Sequence, residues 1–244
     1  QHYSAERFAR AAAGLAGARA RPFEVWLGPW TLRSDGEFFP LVLEAQDADF
    51  GLSLQLQASD KPMVLQGERG LSRKSATPGN ASYYYSFTRL PTTGEVRIGD
   101  AGYRVQGNSW MDREWSSSAL DRDQSGWDWF ALQLDDGREL MFYQLRTREG
   151  KMHAFSRGVL VGMDGKVHHL SPDDVTLVPL RDWLSDDGTV YPVEWRLQVP
   201  GLELDLEVQA SLDDQLMDHT VQYWEGAVDV SGSHRGRGYL ELSG

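Results

Sequence analysis

The chain has 244 residues, 41% of them apolar and 11% aromatic, with 24 basic against 36 acidic side chains and a net charge of −12. That length allows one large domain or two modest ones, and the aromatic content argues for a packed core rather than disorder. The acidic field argues against a broad nucleic-acid or anionic-membrane surface. The absence of cysteine excludes disulfides and thiolate chemistry. No apolar run reaches the length of a membrane helix.

In chain order, the residues 4–20, SAERFARAAAGLAGARA, read as a helix. Ala, Arg and Glu favour it, Ser4 caps it and Pro22 follows it. Its apolar face is thin, made of Phe8, Ala12 and Leu15. From Phe23 onward the period becomes two. Leu52, Leu54 and Leu56 alternate with polar residues, and Tyr83, Tyr85 and Phe87 alternate with Tyr84, Ser86 and Thr88. The stretch 107–126 lacks a clean period and reads as a long loop. Strands are then expected at 127–134, 138–146, 154–162, 166–170, 174–179, 191–199, 202–210, 221–230 and 236–242. Asp135-Asp136-Gly137, Asp164-Gly165 and Pro200-Gly201 form tight turns between them. This grammar predicts an all-β protein, a meander closing into a barrel around an aromatic-lined space. A domain boundary is expected near 106, dividing the chain into 1–106 and 107–244.

Several residues suit chemistry. In WMDREW (110–115), an extended chain places Trp110, Asp112 and Glu114 on one face. A carboxylate beside indole surface and a second carboxylate has a raised pKa and can donate a proton. The alternative is a clamp in which Arg113 and a carboxylate pin the loop. In GWDWFALQL (126–134), Trp127 and Trp129 share a face opposite Asp128, which is either a buried acid or a turn cap. Tyr143 is a packing anchor or a pocket donor. In YWEGAV (223–228), Tyr223 and Glu225 share a face, and Gly226 within a strand signals a bulge or a close backbone approach. Tyr84 points opposite to Tyr83 and Tyr85. Ser117 and Ser118 have no G-x-S-x-G elbow around them, HExxH, GxGxxG and Walker patterns are absent, and no cofactor or metal is expected.

Together GNSWMDREWSS (107–117), GWDWFALQLDDGRELMFYQLR (126–146), YWEGAVDVSG (223–232), KPMVLQGERGLSRK (61–74) and NASYYYSFTRL (80–90) resemble the AttH-like family, the "predicted secreted hydrolase" group related to carotenoid 1,2-hydratase. The resemblance runs from about Tyr3 to Gly244. It implies two lipocalin-like antiparallel β-barrel domains, the first incomplete at its N-terminus. It also implies an exported, periplasmic protein, membrane-associated through a missing N-terminal segment or working beside an ABC transporter. The implied ligand is an apolar lipid or isoprenoid. The implied chemistry is either binding alone or hydration or hydrolysis by carboxylate general-acid catalysis. By this resemblance Asp112 matches the carboxylate of a W-x-D segment, Tyr143 the aromatic of the following strand pair, and Trp115 a pocket-edge aromatic. The hydratases carry His after that Asp where this chain has Arg113, so Asp112 or Glu114 has to supply the proton. The candidate catalytic set is therefore Asp112, Glu114 and Tyr143. Trp110, Trp115, Trp129, Tyr84, Tyr223 and Glu225 are the candidate ligand contacts.

Overall fold

The computed structural model describes residues 2–34, 36–116 and 120–244. Ser117 and Ser118 lie outside the described residues. The described chain is built from strands, with short 3-10 turns at Pro172–Asp174 and Pro200–Leu202. None of its helices is long and apolar enough to cross a membrane.

The chain divides into two compact units, and two long strands contribute residues to both. The smaller unit comprises 3–60 and 89–111. Its strands are β1 (Ala16–Ala20), β2 (Phe23–Leu27), β3 (Trp30–Arg33), β4 (Leu41–Gln46) and β5 (Phe50–Leu56), an antiparallel meander. The larger unit comprises residues 1–2, 61–88 and 112–244. It begins with β6 (Val64–Leu65) and β7 (Leu71–Arg73). The shared strands are β8 (Ala81–Ile98) and β9 (Ala101–Ser116). β6 and β7 pair with the first residues of β8, and β5 pairs with its last ones.

The rest of the larger unit is one ten-stranded sheet. Its strands are β10 (Gln124–Leu134), β11 (Glu139–Thr147), β12 (Arg157–Val161), β13 (Val167–Leu170), β14 (Thr176–Leu184), β15 (Val190–Val199), β16 (Leu204–Ala210), β17 (Leu216–Met217), β18 (Tyr223–Gly232) and β19 (Gly236–Ser243). The order is β13-β12-β11-β10-β19-β18-β16-β15-β14, with β17 on β18. Alternation dictates its two faces. Phe130, Leu132, Leu140, Phe142, Trp224, Leu240 and Leu242 all turn to one side, and with Trp195, Leu197 and Leu206 they form the main core.

Two expectations are corrected. The lipocalin-like barrels are not closed. The nine-stranded sheet ends at β1 and β6 without joining them, and the ten-stranded sheet is an open half-barrel whose end strands β13 and β14 do not pair. β14 is built as an edge: Pro179 has no N–H to offer, and the register breaks at Pro179/Arg181 and again at Arg181/Asp182. The helix expected over 4–20 is absent, and 16–20 are strand. A helix of this length draws most of its stability from packing an apolar face. Phe8 is 73% exposed and Leu15 56%, so no such packing exists. The loop expected over 107–126 is likewise extended as far as Ser116, as the end of β9. Its period was unreadable because none of the β9 residues is fully buried.

Candidate active site

The candidate side chains gather on the face of the ten-stranded sheet that turns away from its core. Register explains why. Trp129 stands opposite Tyr143 on β11 and opposite Glu241 on β19, and Glu241 stands opposite Glu225 on β18. Two residues further along, Ala131 stands opposite Tyr239. Because side chains in register share a face, Trp129, Tyr143, Glu241, Glu225 and Tyr239 are held together by backbone ladders alone.

Onto this face β7, β8 and β9 of the same unit bring polar groups. Tyr84 is 3% exposed. Its phenol accepts from Trp129 Nε1 at 3.1 Å and donates to Asp112 Oδ2 at 2.9 Å. An indole N–H can only donate, so the phenol proton is committed to the carboxylate. Burial, then the nearby charges of Asp112 and Glu114, push the Tyr84 pKa well above its ordinary value. Glu114 accepts from Ser82 Oγ and pairs with Lys74 Nζ at 2.8 Å. That ammonium lies 4.1 Å from the centre of the Tyr143 ring, and Tyr143 Oη meets Ser72 Oγ at 2.9 Å. The clamp expected of Arg113 on a carboxylate is thus made at Glu114 by Lys74.

Electrostatics separate these acids. Glu225 is pushed up from 4.5 to about 7, first by burial and second by the charge of Glu241. Glu241 is raised by burial and by the charges of Glu114 and Asp112, while Trp127 Nε1, 2.6 Å from its Oε1, favours its ionised form. Tyr223, whose ring lies 5.9 Å from that of Trp127, is raised by burial and then by Glu241 and Glu225. Of the two, Glu225 is the member whose proton burial and the neighbouring charge retain up to about pH 7. It sits among the rings of Trp127, Trp129, Tyr223 and Tyr239.

The structure brings together Asp112, Glu114, Tyr143, Tyr84, Trp129, Tyr223 and Glu225 in one unit. It leaves out two of the residues read from sequence. Trp110 belongs to the other unit. Trp115, 53% exposed, turns to the opposite face of β9 from Glu114 and stacks on Tyr83 at 5.7 Å. Sequence reasoning missed Glu241, Trp127 as its donor, and Lys74. The signal for Glu241 was its place in GYLELS, in phase with Tyr239 on a strand whose neighbour carries Glu225. Asp128 is structural. Fully buried on the core side, it is paired with Arg146 and accepts from Gln144 Nε2 at 2.8 Å, and burial raises its pKa.

The family model described as AttH-like matches residues 1–244. The chain belongs to this AttH-like family. A crystal structure of an AttH protein from Nitrosomonas europaea is similar at 36% identity and a TM-score of 0.83, covering 91% of this chain and 69% of that one. The crystal structure of kievitone hydratase from Nectria haematococca shares the fold at 17% identity and a TM-score of 0.75, over 91% of this chain and 70% of that one. No functionally curated protein matches the sequence.

Proposed function

We propose that this AttH-like protein is a hydratase-type lyase that adds water across, or removes it from, an electron-rich double bond of an apolar, isoprenoid-like substrate. The observation that carries the reading is the directly opposed Glu225–Glu241 pair, one member held protonated near neutrality among four aromatic rings. A carboxylic acid with a pKa near the working pH is well matched to general-acid catalysis. Glu225 gives its proton to one alkene carbon, the π bond breaks, and a cation forms at the other. Aromatic faces and the neighbouring carboxylates favour that cation. Water attacks it, and the proton released returns to the pair. Asp112, fixed by Tyr84, orients the water. The fold supports the reading, since a hydratase is built on it.

The test is incubation with a panel of isoprenoid and prenylated aromatic alkenes in ¹⁸O-labelled water, followed by mass spectrometry. The expected product carries one labelled oxygen, and E225Q loses at least about 10²-fold in rate. Retention of these alkenes without turnover, equal in wild type and E225Q, would reduce the protein to a binder. Export and service to an ABC transporter are further proposals that rest on the family resemblance. Cell fractionation and pull-down against the neighbouring gene products test them.

A further inference from the structure

A second ligand site, away from the carboxylates, is carried by two clefts of the larger unit that meet at Leu71 and Arg73. The first, about 340 Å³, is cationic for so acidic a protein: Arg73 and Arg157 line it against a single acid, Glu68. The guanidinium carbons of Arg73 and Arg157 lie 5.4 and 5.9 Å from the centre of the Phe155 ring. Arg157 is braced, donating from Nη1 to the carbonyls of Ala154 and Ser156 at 2.7 and 2.6 Å. Its other nitrogens, and the whole guanidinium of Arg73, have no hydrogen-bond acceptor or ion pair among the described residues. An arginine fork held on an aromatic ring and lacking a carboxylate matches an oxyanion.

The second cleft, about 760 Å³, is a shelf of exposed rings. Tyr83 is 57% and Trp115 53% exposed, stacked with centres 5.7 Å apart, and Tyr85 meets Trp115 edge-on at 6.2 Å. Neighbouring large aromatics left this open are uncommon on a protein surface and mark binding surfaces. Asn80 and Thr77 line the same cleft. With Arg73 common to both, the natural occupant is one molecule with a charged end and a flat apolar body.

We propose that these clefts form a binding site for an amphiphilic organic carboxylate, its carboxylate held by Arg73 and Arg157 and its ring or polyene body laid on Trp115 and Tyr83. The site shares no residue with the Glu225–Glu241 pair, so it stands or falls independently of the hydratase reading.

The experiment is calorimetric titration of the full chain with 2-naphthoate, with its neutral analogue 2-naphthol, and with inorganic phosphate. The expected result is that naphthoate binds at least tenfold more tightly than either of the others. R73Q combined with R157Q should weaken naphthoate roughly tenfold or more while leaving naphthol unchanged. W115A should weaken both, and E225Q neither. Circular dichroism of each variant checks that it folds. Naphthol binding as tightly as naphthoate, phosphate binding as tightly as naphthoate, or naphthoate affinity unmoved by the arginine substitutions would each overturn the proposal.

Discussion

Replacing Glu225 with Gln keeps the shape of the side chain and removes its titration. In the folded protein the Glu225 carboxyl is raised from 4.5 to about 7. At about 1.4 kcal/mol for each tenfold change in proton affinity, that rise corresponds to roughly 3 kcal/mol. The sign follows from linkage. In the unfolded chain Glu225 ionises near its ordinary value, whereas the folded chain keeps the proton until pH about 7. Stability is therefore fully present below about pH 4.5 and falls as pH rises through about 7, beyond which the loss is constant. Gln cannot ionise, so E225Q lacks this loss. Relative to the wild type it should be about equal in stability near pH 4 and about 2–3 kcal/mol more stable near pH 8. Urea unfolding of both proteins at about pH 4, 6 and 8, followed by tryptophan fluorescence, measures the difference. A difference that stays the same at all three pH values would refute the claim that Glu225 is held protonated beside Glu241.

Three further outcomes are expected. Y84F removes the hydroxyl that accepts a hydrogen bond from Trp129 Nε1 and donates one to Asp112, so it should cost about 1–3 kcal/mol in unfolding free energy. It should also lower hydration rate, whereas a Tyr84 that merely packs would leave the rate unmoved. D128A strips Arg146 and Gln144 of a fully buried partner and should cost roughly 3–5 kcal/mol by urea unfolding, without changing the pH of any activity transition. G226A places a methyl group 2.1 Å from the Gln215 side-chain amide, which is itself bonded to the backbone of Leu212 and Ala227. Its thermal midpoint should fall by several degrees, and a shift of less than about 1 °C would show that Gln215 yields freely.

How far the sequence could be read depended on what each strand packs against. From 127 onward the expected strands match the observed ones closely, because β10, β15 and β16 alternate a buried apolar face with a second face. Short turns such as Asp135-Asp136-Gly137 fixed their order. Closure was not legible, since a periodic strand looks alike in a barrel and in an open sheet. The edge strand β14, with Pro179 and its register breaks, is what ends the ladder. The N-terminal segment misled because Ala and Arg favour helix whether or not anything packs on Phe8 and Leu15. In the site, Glu225 and Tyr84 were visible as odd members of aromatic runs. Glu241 was not, because what distinguishes it is its register opposite Glu225, a pairing between strands rather than a local pattern.

The central claim is that this face of the sheet stores a transferable proton on Glu225 at neutral pH. A ¹³C NMR titration of the glutamate carboxyl carbons, with E225Q and E241Q supplying the assignments, tests it most directly. The account predicts one glutamate signal titrating near pH 7, absent in E225Q, and shifted down in E241Q where the neighbouring charge is gone. Titration of every glutamate carboxyl below about pH 5 would contradict it.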